Sequence, residues 1–374
     1  MHISSSPYLS PYVIFILVLL VCISWVFPKK IAMSGVMVLS IAFLGYYATD
    51  SLLILLTLSV ASYLIPRQYS FKTQSILVII LIVSGVLVVY KIATTVHASK
   101  YIMPLGLSFY SFRIIHYVFE GYKQKLPKHT FRDYLTYLFF LPTFIVGPIH
   151  RFQPFYDDLK KRDIKNLNIS YGLERILYGY AKIIIIAAYL IEIKFLDYIQ
   201  HIKTTNHYLY IYLSPFAYWF NLYFQFSGYS DIAIGFSRLM GFKIMENFNY
   251  PFLAKNISEF WQRWHISLST WIKDYVYIPL VSLTRKPFLS ILVSLVIFGL
   301  WHEFSFNYIV WGMYHALGIA IWHKFQYIKV KYMAIDRLAS TKIFYLFSVL
   351  LTLHFVVFSF KIRTLFLQLL HLNY

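Results

Sequence analysis

Residues 75–90 read SILVIILIVSGVLVVY, and this stretch decides the class of the chain. It carries no charge and shows neither the strict alternation of a half-buried strand nor the one-sided stripe of a surface helix. Such a run, continued to Thr95, is expected to be a membrane-crossing helix, because about 20 largely apolar residues cover the hydrocarbon layer. A transmembrane β-barrel would instead repeat alternating segments of about 10 residues. Similar continuous runs occupy 12–27, 31–47, 51–65 and 343–360.

Hydrophobic residues make up 59% of the 374, and charged ones only 13%, which lies outside soluble globular usage. The expected fold is therefore an all-α polytopic membrane protein with roughly nine to eleven transmembrane helices plus re-entrant or partial ones. One membrane domain, 1–374, is expected: scaffold spans over 1–100, a chemistry-bearing core over 101–325, and a last span with a short tail over 326–374.

The formal charge of +19 does not point to nucleic acid, because no basic helix or aromatic platform stands apart from the spans. Before Glu120 the only acid is Asp50, while Lys29, Lys30, Arg67 and Lys72 fall in breaks between apolar runs. By the positive-inside rule these breaks are cytoplasmic and the N-terminus is outside. The run 12–27 has no basic region before it and reads as a retained span rather than a signal peptide. The single cysteine, Cys22, excludes a disulfide framework and a thiolate metal cluster.

Polar character begins near Tyr101. The stretch 104–113, PLGLSFYSFR, and the stretch 139–149, FFLPTFIVGPI, combine helix breakers with apolar residues and suit re-entrant segments buried in protein. Within the span 176–193, Lys182 is expected to snorkel toward an interface. Asp231 is expected to cap a helix over 232–240 after a span over 208–226.

The chemistry concentrates in 258–279, SEFWQRWHISLSTWIKDYVYIP. Phe260, Trp264, Leu268, Trp271, Tyr275 and Ile278 recur at helical spacing, which predicts one amphipathic helix with Arg263, Ser267 and Asp274 off its apolar stripe. His302 follows an apolar run, 288–300, too short for a full crossing, so it is expected inside the membrane, where an ionisable residue is costly and functional by default. His265 and His302 each sit beside a tryptophan, and either imidazole can act as a general base on a hydroxyl.

Other chemistries are less well served. His302 and His315 lack metal-ligand spacing. Ser267, His265 and Asp274 have the composition of a triad but no nucleophile elbow. No phosphate-cradling glycine motif suggests an ATP-driven pump. Broken helices would also suit a transporter path, although no paired half-sequences suggest an inverted repeat.

Taken together, Phe226-Ser-Gly-Tyr-Ser-Asp231, Asn247-Phe-Asn-Tyr-Pro251, the Phe-Trp-Gln-Arg-Trp-His block at 260–265 and Gly299-Leu-Trp-His302 resemble the membrane-bound O-acyltransferase family. The likeness is to its bacterial branch of alginate O-acetyltransferases and teichoic-acid D-alanyltransferases, over about 100–325. Pro104-Leu-Gly-Leu-Ser and Gly147-Pro-Ile-His-Arg-Phe152 fit the same pattern. The resemblance implies a ring of helices around a tunnel, His302 at the catalytic centre and His265 as a second site residue. Arg263, Trp264, Ser269, Asp274, Trp301 and Glu303 would support them. No permanently bound cofactor or metal is expected. An acyl thioester, acetyl-CoA or the phosphopantetheine of a carrier protein, would be the donor, a glycan or glycolipid hydroxyl the acceptor, and an accessory periplasmic or extracellular acyltransferase protein a partner. Glu303 stands where that branch usually has a small residue.

Overall fold

A computed structural model describes residues 7–96, 104–332, 337 and 339–361. The tail expected after the last span lies outside them. The described residues are overwhelmingly helical, and three helices, Thr49–Gln68, Thr73–Thr95 and Ile169–Thr205, are long and apolar enough to cross a membrane. Four shorter apolar helices, Pro11–Val26, Ile31–Tyr47, Pro287–His302 and Lys342–Val357, accompany them. The chain is thus an all-α polytopic membrane protein.

The chain divides into two compact units. The first takes residues up to Leu190 together with Tyr223–Glu246, and the second takes Ile191–Leu222 and the residues from Asn247 onward.

The first unit opens with four helices, α1 (Pro11–Val26), α2 (Lys29–Tyr47), α3 (Thr49–Gln68) and α4 (Thr73–Val96), at the four expected runs. In α5 (Leu107–Tyr122), Pro104 and Gly106 turn out to precede an unbroken helix rather than interrupt one. Gly106 adopts φ 75°, a left-handed start that favours glycine, and the next sixteen residues are continuous helix. The helix α6 (Phe131–Leu138) then leads into the stretch 139–149, which is irregular and almost wholly buried in protein. Arg113, 1% exposed, keeps that stretch irregular: its guanidinium donates to the Leu138 carbonyl at 3.1 Å, to the Thr143 hydroxyl at 2.9 Å and to the Thr143 carbonyl. Backbone acceptors freed from a helix thus find a fixed donor. The amphipathic helix α7 (Phe152–Lys161) follows.

The helix α8 (Ile169–Tyr180) runs on through a π-helical stretch, Ala181–Phe195, into α9 (Leu196–Thr205). In the first unit α8 meets the later part of α10 (His207–Leu239) along glycines. A Cβ on Gly179 would lie 2.7 Å from the Gly228 carbonyl oxygen, and one on Gly235 would lie 2.7 Å from that of Gly172. Small residues seven apart on each helix let the backbones touch, the usual device where apolar burial cannot drive helices together.

That closeness corrects two expectations. α10 is continuous for 33 residues, so Asp231 lies inside a helix and caps nothing. Its carboxylate is buried between Arg175 and Lys182, whose ammonium is 2.6 Å away. Lys182 therefore turns to an internal carboxylate instead of snorkelling. A charge inside an apolar helix pair is stable only with such a counter-charge.

The second unit contains α11 (Ile257–Arg263), α12 (Ile266–Ile272), a π-helical turn Lys273–Tyr277, α13 (Ile278–Thr284), α14 (Pro287–His302), α15 (Phe306–Lys331) and α16 (Lys342–Val357). The single amphipathic helix expected over 258–279 is thus broken once, at His265, and widens into a π-helical turn after Ile272.

Candidate active site

The break at His265 has a local cause. Trp264 is extended and His265 adopts φ 44°, ψ 51°, a left-handed conformation that is uncommon for a residue with a Cβ. A second strand of backbone compensates. The Ile266 N–H donates to the Asn247 carbonyl at 2.9 Å, and the Asn249 N–H donates to the Arg263 carbonyl at 3.0 Å. The Asn247 side chain completes the join, since its amide oxygen accepts from the Ser267 N–H at 3.2 Å and from the Ser267 hydroxyl at 2.8 Å. These are amides that a helix start leaves without an internal acceptor.

The same oxygen lies 3.1 Å from Nδ1 of His265. A backbone N–H can only donate, so the Asn247 group facing Ser267 is the oxygen and not the amide nitrogen. Nδ1 of His265, facing that acceptor, carries a hydrogen. When the ring is neutral its lone pair is on Nε2, and the whole side chain is 1% exposed.

His302 arrives from the α14–α15 hairpin. A Cβ on Gly299 would fall onto the Tyr308 carbonyl, and one on Gly312 would lie 2.5 Å from the Leu295 carbonyl oxygen, so the two helices cross at backbone contact. The crossing fixes the end of α14. The His302 ring stacks on Tyr308 at 5.7 Å and stands edge-on to Trp311 at 5.8 Å, yet the residue stays exposed.

Both imidazoles share two aromatic neighbours. The Trp301 ring is 5.8 Å from His265 and 4.6 Å from His302, so the two imidazole centroids lie no further apart than the sum of those distances. The Phe298 ring is 6.4 Å from the first and 5.4 Å from the second. One histidine is sealed and held by an amide, the other open.

The remaining expected site residues fall differently. Trp301 packs against both histidines. Trp264 is buried in an aromatic cluster, 5.3 Å from Trp219, 5.1 Å from Phe248 and 5.6 Å from Phe260. Arg263 donates to Glu259 at 2.7 Å and to the Asn249 carbonyl at 3.2 Å, tying the incoming loop to α11. The Ser269 hydroxyl donates to the Trp264 carbonyl at 3.0 Å, across the break. Asp274 lies half-buried in the π-helical turn, and Glu303 is exposed just past α14. Ser267, expected off the apolar stripe, is fully buried, and its hydroxyl addresses Asn247 and not a histidine.

Two residues without an expected role lie close by. One is Asn247, whose only sequence signal is its place in the chain-breaking Asn-Phe-Asn-Tyr-Pro. The other is His315, fully buried with its ring 4.5 Å from Trp311 and 5.2 Å from Trp261.

The chain is similar to known proteins. A family model described as MBOAT, membrane-bound O-acyltransferase family, matches residues 24–361. A probable alginate O-acetylase of Pseudomonas aeruginosa is 38% identical over 224 residues, 59% of this chain and 42% of the relative. A teichoic acid D-alanyltransferase of Bacillus subtilis is 34% identical over 278 residues, 69% of this chain and 68% of the relative. A peptidoglycan O-acetyltransferase of Helicobacter pylori is 30% identical over 262 residues, 62% of this chain and 49% of the relative. The chain thus spans less than half the length of the first and the third.

Proposed function

Because this chain belongs to the membrane-bound O-acyltransferase family, we propose that it transfers an acyl group, acetyl by preference, from a thioester to a hydroxyl of a cell-envelope polysaccharide or glycolipid. The observation that carries the reading is the meeting of His265 and His302 around Trp301. The donor, acetyl-CoA or a carrier-bound phosphopantetheine, would come from the cytoplasm and the acceptor from the outer side of the plasma or inner membrane. The N-terminus would be outside, and an accessory protein would pass the acyl group onward or receive it.

In this mechanism His302 takes the proton of the acceptor hydroxyl as its oxygen attacks the thioester carbonyl. The C–S bond then breaks, and the imidazolium returns the proton to the departing thiolate, leaving an ester and a free thiol. The C-terminal end of α14 carries partial negative charge, which favours the cation formed on His302 midway. His265, with Nδ1–H committed to Asn247, offers Nε2 as an acceptor and so suits holding the acceptor hydroxyl rather than donating to the thioester carbonyl. Asn247 is a positioning residue. Arg263, Trp264 and Ser269 hold the break in shape, while Asp274 lies in the π-helical turn after α12 and Glu303 directly follows His302.

A second reading, D-alanyl transfer to teichoic acid, is favoured by the extent of the Bacillus subtilis match. Mass spectrometry of envelope glycans from cells with and without the protein decides between them, because the lost mass identifies the group. Purified protein with labelled thioester tests the class: consumption that disappears in His302→Ala while the variant elutes as wild type is expected. Acceptor movement independent of any thioester would mean a transporter and would sink the proposal.

A further inference from the structure

Away from the histidines, two cavities of the second unit merge into one groove between α15, α16 and the start of α11. The outer, about 640 Å³, is lined by Lys255, Glu259, Gln326, Lys329, Thr341 and Tyr345 among others. The inner, about 410 Å³, is lined by Ile257, Gly318, Ile321, Phe347, Leu351 and Phe355. Asn256, Trp322, Phe325, Phe344 and Ser348 line both, so the two are continuous.

The groove is graded along its length. Its outer end lies where α15 finishes and α16 begins, and it carries two lysines. Among the described residues that line it, the one carboxylate, Glu259, is held by Arg263 at 2.7 Å. Lys255 is exposed, with its ammonium 5.7 Å from the Tyr345 ring centroid. The inner end is apolar. From Lys329 to Gly318 the groove follows α15 for eleven residues (329 minus 318), about 16 Å at 1.5 Å per residue. That is about half of the ~30 Å hydrocarbon core, the depth of one leaflet. A cationic mouth at a helix end above an apolar slot one leaflet deep is the shape of a phospholipid with an anionic head. Gly318 lets the slot wall close, since a Cβ there would lie 2.5 Å from the Phe355 ring.

We propose that this groove holds one phospholipid, its anionic headgroup at Lys255 and Lys329 and one acyl chain along Ile321 and Leu351. The site is separate from the histidine pair and does not depend on the transfer reaction.

Native mass spectrometry of the full chain, mixed with equal phosphatidylglycerol and phosphatidylethanolamine, tests it. Wild type is expected to retain phosphatidylglycerol selectively. Lys255→Gln should retain about five-fold less of it with phosphatidylethanolamine unchanged, the factor that about 1 kcal/mol per basic residue near an anionic surface corresponds to. Ser348→Trp, which fills the junction of the two cavities, should lose both lipids. Size-exclusion elution and far-ultraviolet helicity report that both variants fold, and Lys255, being exposed, tolerates replacement. The proposal is overturned if Lys255→Gln keeps the wild-type ratio, if Ser348→Trp retains lipid as wild type does, or if a glycolipid or a thioester occupies the groove in the purified protein.

Discussion

The first unit and the second unit each place ionisable groups among apolar helices, and they do so to opposite ends. On the α8–α10 seam the buried carboxylate of Asp231 is answered by two cations. Asp231 sits between Arg175 and Lys182, and Arg175 also donates to both oxygens of Glu246 at 2.8 and 2.7 Å. At the histidine pair the buried imidazole, His265, is held by a neutral amide, while His302 is exposed. A closed network rigidifies a helix pair. Chemistry needs a group that can still change its protonation, and the difference between the regions separates holding from reacting.

That comparison breaks most directly at His302. Replacement by alanine is expected to lower acyl transfer about 10²–10⁴-fold, the usual range for a general base, with elution and melting unchanged. Retained activity would move the chemistry elsewhere. Asp231→Ala should do the reverse: unfolding in detergent is expected to show a loss of about 1.5–3 kcal/mol, because the half-buried Lys182 loses its carboxylate and Arg175 keeps only Glu246, while transfer per folded molecule holds. A selective loss of turnover would make the seam part of the reaction.

Asn247→Ala should cost about 1–3 kcal/mol through the unmet Ser267 amide and the freed His265 ring. Transfer should fall with it and recover in Asn247→Asp, which keeps an acceptor oxygen at the same place. A merely structural asparagine would show the stability loss with no change in the pH profile of transfer. Gly179→Leu, which pushes a side chain into the Gly228 carbonyl, is expected to destabilise by about 1–3 kcal/mol, read from the melting temperature, and to leave the histidine site intact. The smallest effect is expected at Glu303. It is exposed, so Glu303→Gln should stay within about 0.5 kcal/mol in stability and close to wild type in turnover. A large loss there would extend the reacting region beyond the two rings.

Much of this molecule was legible before any coordinates. The apolar runs marked the first four helices to within a few residues, since a bilayer demands unbroken hydrophobicity that no distant contact can replace. The two candidate histidines stood out because each lay beside tryptophan in a chain poor in charge. What periodicity could not reveal was where helices break or fail to break. The stripe from Phe260 to Ile278 reads as one helix, yet it breaks at His265 because Asn247, eighteen positions earlier, supplies the acceptor that the interrupted backbone needs. Asp231 reads as a cap, yet it lies within a helix because Arg175 and Lys182 answer its charge across a glycine seam. Hydrophobicity and helical spacing are carried by neighbours in sequence, so the residues alone determined the class of fold and the cast of candidate groups. Counter-charges and acceptors come from distant segments, so only the tertiary structure decided which polar residues are bound in place and which of the two imidazoles is exposed.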